Sequence, residues 1–210
     1  MTSKHNYRKT LLMLLLIAMP LLVGSQCAVF FSSGSGSNDD DDDKDEELIV
    51  VATGRLGTAP VSGASYISGS VSGVTGSNGE FEYEVGKPVR FSIGDIPLGR
   101  AVSGKSIITV QDLAAGSETA ATVAINIERL MQSLDAEQGD DAITIPARVL
   151  SKAVRSNETV TAAITYLDFA DDTAFANAAS QLVSVLTHDY PFTGSLVDAE
   201  TARRSLARPM

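Results

Sequence analysis

The chain has 210 residues, a hydrophobic fraction of 44% and a formal net charge of −10, which is enough for one ordinary domain with appendages. Residues 1–26 contain three Lys or Arg residues and no acid, so the remainder holds 13 basic and 26 acidic residues, a net charge of −13. Such a surface repels nucleic acid and anionic lipid headgroups, which excludes nucleic-acid binding. Cys27 is the only cysteine, so an intrachain disulfide and a C-x-x-C zinc or redox site are excluded.

The N-terminal segment has the layout of a secretory signal peptide. Residues 1–10 are polar and basic, Leu11–Val23 is apolar, and Cys27 follows closely. This arrangement resembles a bacterial lipoprotein signal, in which the cysteine is lipidated and becomes the mature N-terminus. Gln26 stands where such signals usually have Gly, Ala or Ser, so two alternatives stay open. They are ordinary cleavage, for example after Ser25, and retention as an uncleaved inner-membrane anchor.

The residues after Cys27 predict a lipoprotein on a flexible spacer. Ala28 rather than Asp follows the cysteine, and in enteric-type bacteria the resemblance then implies the outer membrane, on its periplasmic or surface face. Ser32–Glu47 is rich in Gly and Ser and then in Asp, a composition typical of a flexible tether that repels itself. We therefore expect the membrane to be a partner through lipid on Cys27. A periplasmic or secreted form is the alternative.

Two consecutive segments are predicted to form the centre of an antiparallel β domain. Phe81–Val85 and Val89–Ile93 alternate apolar and polar residues, the period of a strand with one buried face. If residues 86–88 form a hairpin loop, six apolar side chains share one face and Glu84 lies opposite Arg90 on the other. Further strands are predicted at Leu48–Thr53, Pro60–Tyr66, Gly69–Thr75 and Ile107–Val110, with a turn at Ser77–Gly79.

Glycines and apolar positions follow a recognisable order from residue 61 to the C-terminus. They are Val61, Gly63-Ala64, Gly73-Val74-Thr75, Asn78-Gly79, Phe81, Tyr83, Val89, Phe91, Ile93-Gly94, Leu98-Gly99, Asn126-Ile127, Arg129-Leu130, Gln132, Leu134-Asp135 and Ile143-Thr144-Ile145. This order resembles the transthyretin-like, carboxypeptidase-regulatory-like β-sandwich. More closely, it resembles a unit near the N-termini of many proteobacterial surface lipoproteins, a family of uncharacterised function. The resemblance implies a fold and a cellular location, and it carries over no catalytic residues.

From Thr119 onwards the period becomes that of amphipathic helices. Ala120–Leu134 places apolar residues three and four apart, and Ser117 or Thr119 can cap its start. Further elements are predicted as an edge strand at Ala142–Ile145, a short helix through Val154, β or irregular structure at Thr159–Phe169, a helix begun at Asp171-Asp172 and a last helix begun at Asp198.

The predicted fold class is α+β, with an antiparallel, transthyretin-like β-sandwich followed by a small helical portion. The predicted organisation is a signal peptide with its lipidation cysteine over 1–27, a tether over 28–47, the β-sandwich over 48–115 and a mainly helical portion packed on it over 116–210.

The segment from Gly99 to Ser106 matches the P-loop expression G-x4-G-K-[ST], with Gly104 and Lys105 at its centre. A P-loop requires a helix to begin at its Lys-Ser pair, so that the helix amides hold the phosphates. Here Ile107–Val110 has the sequence of a strand instead. We therefore interpret the match as chance and predict no nucleotide site.

Four acidic residues follow the first long predicted helix: Asp135, Glu137, Asp140 and Asp141. Related units carry a stretch resembling a calcium loop at this point, and carboxylates alternating around Gly139 are suitable calcium ligands. However, Pro146 occupies the position at which a twelfth-residue glutamate would complete the loop. Calcium binding therefore stands as an alternative to a solvated loop, and no other cofactor is predicted.

No catalytic site is predicted. His5 and His188 are the only histidines, and neither G-x-S-x-G nor H-E-x-x-H occurs. His188 follows a predicted helix, where a cation complements the C-terminal dipole. Glu80, Glu82 and Glu84 alternate along a strand, which is typical of a solvated sheet face rather than of a glycosidase carboxylate pair.

The predicted function is therefore that of a non-enzymatic, exported and membrane-anchored lipoprotein that serves as a surface adhesion, scaffolding or partner-binding module. Its partners are expected to be another protein or further copies of itself, and the sequence does not determine whether it binds a small molecule. Three alternatives stay open: an assembly subunit that polymerises by strand addition through residues 48–53, a calcium-binding domain, and an enzyme-accessory domain.

Overall fold

The computed structural model describes residues 48–137, 139–155, 157–190 and 194–208. The predicted signal peptide, Cys27 and the tether lie outside these residues. The strands are β1 (Val51–Leu56), β2 (Val61–Ser62), β3 (Ser65–Ser68), β4 (Val71–Val74), β5 (Glu80–Glu84), β6 (Pro88–Ile93), β7 (Ile96–Pro97), β8 (Val102–Ser103), β9 (Ile107–Ile108) and β10 (Ile143–Thr144). The helices are α1 (Val110–Ala114), α2 (Ala120–Ser133), α3 (Ala147–Lys152), α4 (Glu158–Tyr166), α5 (Asp172–Leu186) and α6 (Ala199–Leu206). The mixed α+β prediction, with strands first and helices later, is confirmed.

The strands of the described residues form three sheets. The β1 sheet has the order β5-β1-β9, and the β6 sheet has the order β4-β3-β6-β7 with β8 also paired to β6. β10 pairs with β2 in a third, two-stranded sheet. The β1–β9 and β10–β2 pairings are parallel, and both join segments that are distant in sequence. Later parts of the chain therefore complete the sheets that the first strands begin.

The predicted hairpin of β5 and β6 is wrong. β5 pairs with β1, whereas β6 pairs with β3, β7 and β8, so the chain passes from one sheet to the other between them. The Phe81 ring of β5 lies 5.0 Å from the Phe91 ring of β6, edge to face, and 5.9 Å from the Tyr66 ring of β3. Alternation defines the buried face of a strand but not its partner, and this arrangement lets the two aromatic faces cover each other.

Most of the side chains predicted for the core of this region do lie in it. Four are buried, namely Phe81, Val89, Phe91 and Ile93. Tyr83 is half-buried and packs on the same cluster. Val85 lies just beyond the end of β5 and is 53% exposed. The prediction that these side chains share one core is therefore confirmed for five of them and wrong for Val85, but the five lie on two facing sheets and not on one face of a hairpin.

Glu84 does not lie on a solvated face opposite Arg90, so that prediction is wrong. Its carboxylate is buried and accepts hydrogen bonds from the Ser70 amide at 2.9 Å and the Ser70 hydroxyl at 3.2 Å. The Glu84 amide in turn donates to the Ser68 hydroxyl at 3.3 Å. Arg90 faces Ile67 of β3 instead. Because the β3–β4 turn covers this side of β5, a charged residue on the outward face becomes a buried acceptor.

Two segments differ from the predicted secondary structure because of local capping. The predicted strand from residue 107 ends at Ile108, since Thr109 caps α1. Its hydroxyl accepts from the Asp112 amide at 3.3 Å while the Asp112 carboxylate accepts from the Thr109 amide at 2.8 Å, a capping box. The segment Thr159–Phe169 is largely helical, because the Asn157 side chain caps α4 and a helical face of α4 packs on α5.

The helix predicted from Ala120 is confirmed as α2, and three of the other helices pack on it. It contacts α1, α5 and α6. The predicted apolar stripe is buried at Val123, Ile127, Leu130, Met131 and Leu134. These side chains belong to the same hydrophobic cluster as residues of the β1 and β6 sheets. The β region and the helical region therefore share one core.

We predict that replacing Gly63 with Ala destabilises the protein more than the same change at Gly86. Both residues have positive φ, +83° and +87°, which costs an alanine about 1–2 kcal/mol. At Gly63 the new Cβ would also lie 1.9 Å from the Ile145 carbonyl oxygen, whereas nothing lies within 4 Å at Gly86. In urea denaturation, Gly63→Ala should lose about 2 kcal/mol more of the free energy of unfolding than Gly86→Ala does. Equal losses would contradict the close approach of residues 63 and 145.

Candidate functional site

A cluster of buried polar side chains on α2 holds the helical part together. Asn126 and Arg129 stand one turn apart, and both are buried. The Arg129 guanidinium donates to the Asn126 side-chain oxygen at 2.9 Å, the Asp172 carboxylate at 2.8 Å and the Val197 carbonyl at 2.8 Å. The Asn126 amide donates to the Phe169 carbonyl at 3.1 Å. One helix turn therefore binds the start of α5 and the segment before α6.

The same cluster continues one turn further along α2. The Ser133 hydroxyl donates to the Arg129 carbonyl at 2.6 Å and accepts from the Val197 amide at 2.8 Å. The guanidinium carbon of Arg129 also lies 5.1 Å from the centroid of the Phe175 ring, a cation–π distance. The Nε and Nη1 atoms of Arg129 are therefore engaged within the fold. The cluster has a structural role, since it joins α2 to α5 and to the segment before α6.

Two adjacent cavities lie beside α6. One, of about 550 Å³, lies between the end of α2, the loop after it and α6. The other, of about 340 Å³, lies between α6 and the β1–β2 turn. Asp141, Ile143, Ser205 and Arg208 line both, and the Arg208 guanidinium pairs with the Asp141 carboxylate at the boundary. The ion pair of these two residues therefore separates the cavities.

Glu128 lines the smaller cavity, and its side chain is buried. Its Oε1 atom accepts from the Gln132 side-chain amide at 2.7 Å and from the Ser205 hydroxyl at 2.8 Å. Burial raises the pKa of Glu128 above its ordinary value, although both hydrogen bonds favour the charged form. Glu128 therefore links α2 to α6 through a contact that depends on its protonation.

The acidic loop after α2 uses its first carboxylate to fold itself. Asp135 is buried, and its Oδ1 atom accepts from the amides of Glu137 at 3.1 Å and Thr144 at 2.9 Å. Glu137 and Asp140 are exposed, and Asp141 pairs with Arg208. Among the described residues, no group of three or more His, Cys, Asp or Glu side chains has the arrangement of a metal site.

The P-loop-like segment has the geometry of a turn and two short strands. β8 falls inside it, and β9 follows Ser106 directly, as the sequence predicts. Gly104 lies against the Tyr83 ring, where an added Cβ would be 2.1 Å from a ring carbon. The Lys105 ammonium pairs with Asp112 at 2.7 Å. Gly104 and Lys105 therefore have packing and pairing roles in this fold.

His188 lies just after the end of α5, as predicted, and its side chain is 82% exposed. Its Nδ1 atom lies 3.1 Å from the Asp189 carboxylate, which also pairs with Lys152 at 2.5 Å. The hydrogen bond from Lys152 lowers the pKa of Asp189 to about 2. This exposed trio joins the ends of α3 and α5 at the surface.

The first half of β1 has an open backbone edge. β1 pairs with β5 over Val51–Arg55, but its pairing with β9 begins only at Arg55. The Leu56 amide donates to Gly79 on the β5 side, and the Arg55 amide donates to Ser106 on the β9 side. Because backbone groups alternate along a strand, the N–H and C=O groups of Val51 and Thr53 point away from β5. We call Val51–Thr53 the open edge.

A group of exposed apolar side chains lies beside the open edge. It consists of Leu48, Ile49, Val50 and Val85, which are 69%, 48%, 40% and 53% exposed. The Val85 amide donates to the Val50 carbonyl at 2.8 Å, so Val50 and Val85 extend the pairing of β1 with β5. We call them the apolar end. Exposed apolar residues next to an unpaired strand edge are features of a protein interaction site.

A comparison of the chain with family models, with characterised proteins and with solved structures finds no match. Among the helices of the described residues, none combines the length and apolarity that crossing a bilayer requires.

We predict that Arg129→Met lowers the free energy of unfolding by about 2–3 kcal/mol, because it leaves the buried Asn126 side-chain oxygen and the half-buried Val197 carbonyl without their donor. The matched control is Arg203→Met on α6, since Arg203 is exposed and its guanidinium pairs with Glu200 at 3.6 Å. An exposed pair contributes at most about 1 kcal/mol. Urea denaturation of both variants measures the difference, and similar losses would contradict the role assigned to Arg129.

We also predict that Glu128→Gln becomes progressively more stabilising as pH rises. Because the native pKa of Glu128 is raised, the native state holds its proton more tightly than the unfolded state does. The proton on Glu128 therefore stabilises the native state. This stabilisation is complete below the ordinary pKa of a glutamate and is lost as pH rises through the native pKa of Glu128. The melting temperature of Glu128→Gln relative to the wild type should therefore increase between acidic and neutral pH.

The control for this experiment is Glu82→Gln, since Glu82 is exposed. The same measurement on that variant should show no comparable trend. A constant difference between Glu128→Gln and the wild type at every pH would contradict the linkage.

Proposed function

We propose that this protein is an exported lipoprotein, anchored in the outer membrane through lipid on Cys27, that presents a non-enzymatic partner-binding module. The observation that carries the proposal is the apolar run Leu11–Val23, preceded by basic residues and followed by the single cysteine. A diacylated or triacylated cysteine supplies the second and third chains that stable anchoring needs. The acidic spacer of residues 39–47, with eight acidic residues and one lysine, then holds the folded part away from the membrane.

The partner-binding part of the proposal is supported by the open edge and the apolar end. Both lie where the chain leaves the spacer and enters β1, so the spacer places them nearest the membrane-proximal end of the folded part. The buried polar groups of α2 are engaged in holding helices together, and His188 is exposed at a helix end. These contacts favour an interaction module over an enzyme.

We further propose that the β1 and β6 sheets are the two layers of a transthyretin-like β-sandwich. The contacts of Phe81 with Phe91 and Tyr66 support this, because they join the two sheets through their apolar faces. The turn at Ser77-Asn78-Gly79, with Gly79 at φ +75°, supports the resemblance at its most characteristic position.

A second candidate function is an assembly subunit that polymerises by strand addition. The open edge favours it, because strand addition requires unpaired backbone groups on an accessible strand. The segment involved would be residues 48–53. Light scattering of the full chain in detergent tests this, since an assembly subunit gives a mass that increases with concentration. The Thr53→Pro variant, which lacks one outward N–H group, should then remain monomeric.

We predict that labelled palmitate enters the wild-type chain expressed in a bacterial host and does not enter Cys27→Ala. The physical reason is that Cys27 supplies the only thiol in the sequence. The matched control is Ser25→Ala, which keeps the thiol and the length of the apolar run. Equal labelling of Cys27→Ala, or a mature chain that still begins at Met1 in the cytosol, would overturn the proposed anchor.

A further inference from the structure

We propose that the smaller cavity, between α6 and the β1–β2 turn, binds a small organic cation that combines a primary ammonium group with an apolar body. The ammonium group donates to the free carboxylate oxygen of Glu128, and the apolar body lies along the wall of the cavity. This site is additional to the partner-binding function proposed above, because no residue of the open edge lines the cavity. Three observations lead to it: a carboxylate oxygen without a donor, a charge without a partner and an apolar wall.

One oxygen of the Glu128 carboxylate has no hydrogen-bond donor. Glu128 is 6% exposed, and its Oε1 atom accepts both bonds, from Gln132 and Ser205. Among the residues that the structure describes, none donates to Oε2. This oxygen is not one of the polar atoms that the fold seals off from solvent, and Glu128 lines the smaller cavity. Because buried polar atoms are normally hydrogen-bonded, Oε2 is an acceptor available to a ligand in the cavity.

The charge of Glu128 has no cationic partner within the described part of the chain. None of the ion pairs among those residues includes it. Two other charged residues line the cavity, Asp141 and Arg208, and they pair with each other. A buried carboxylate without a cation is costly, and burial accordingly raises the pKa of Glu128. A ligand cation in the cavity removes part of this cost.

Much of the wall of the cavity is apolar. Its apolar residues come from the β1–β2 turn, β2, α1, β10 and α6, and they are Ala59, Pro60, Val61, Val110, Ile143 and Leu206. Val61, Val110 and Ile143 are buried. The volume of about 340 Å³ lies near the lower end of the range of about 300–1,000 Å³ that small-molecule sites occupy. The cavity therefore suits a small ligand whose body is apolar and whose polar group is confined to one end.

An ammonium group fits this cavity better than a metal ion or an anion does. Calcium takes about six to eight oxygen ligands, whereas Glu128 is the one carboxylate of this wall that has no cation beside it. An ammonium group can donate to that carboxylate and use its remaining N–H groups on neutral oxygens, such as those of Thr58 and Gln111, which also line the cavity. An anion is disfavoured by Glu128, and Arg208 is already paired.

The test is titration calorimetry of the full-length protein in a nonionic detergent with three probes of equal chain length: hexylamine, hexanol and hexanoate. We expect hexylamine to bind at least about tenfold more tightly than hexanol, and hexanoate to bind least, because the ammonium group alone forms a charge-assisted bond with Glu128. Glu128→Gln should weaken hexylamine binding at least about tenfold and change hexanol binding less than about twofold. Glu82→Gln removes an exposed carboxylate outside the cavity and should bind hexylamine like the wild type.

A second measurement uses the wild type alone, so it does not depend on the folding of a variant. An ammonium group beside Glu128 favours the charged carboxylate, so hexylamine should release a proton at pH values near the native pKa of Glu128. Calorimetry in two buffers of different ionisation enthalpy detects that proton. Hexylamine binding no tighter than hexanol binding would overturn the proposal, as would unchanged hexylamine binding by a folded Glu128→Gln. Binding without proton release anywhere between acidic and neutral pH would place the amine at another site and also overturn it.

Discussion

The helical half of this protein depends on one buried guanidinium. Arg129 bonds with Asn126 in its own helix, with Asp172 at the start of α5 and with the Val197 carbonyl before α6. A charge taken out of water is costly unless hydrogen bonds replace its hydration. The three acceptors therefore have to be present together, and their positions determine how α5 and α6 pack on α2. Because the apolar face of α2 belongs to the shared core, the same constraint extends to the sheets.

The sequence predicted the elements whose pattern is local and missed those whose partner is distant. α2 and α5 were predictable from apolar spacing and from caps such as Asp171. The pairing of β5 was not, because alternation in Phe81–Val85 fits a hairpin and a pairing with β1 equally well. α4 was missed because its β-branched residues favour strands, whereas packing on α5 and the Asn157 cap outweigh that preference.

The candidate sites divide in the same way. Cys27 and its apolar leader were visible only in the sequence, since position in the chain defines such a signal. Asn126 and Arg129 belong to the positions that carry the resemblance. Their roles, however, depend on contacts with residues far along the sequence, at the start of α5 and before α6. The open edge of β1 required the register of β9, which begins at Arg55 and cannot be obtained from either strand alone. Polar residues in an otherwise apolar stripe were the sequence feature that could have indicated the buried cluster.

The parallel pairing of β10 with β2 has a consequence for how the chain reaches its folded form. The Ile143 amide donates to Pro60, and the Ile145 amide donates to Ser62. Contacts between such distant segments form late, because closing a long loop costs entropy before any contact repays it. During synthesis the N-terminal strands emerge first, so these sheets stay incomplete until residue 145 has also emerged. The strand edges that wait for these late pairings are the part of the fold most prone to aggregate before folding is complete.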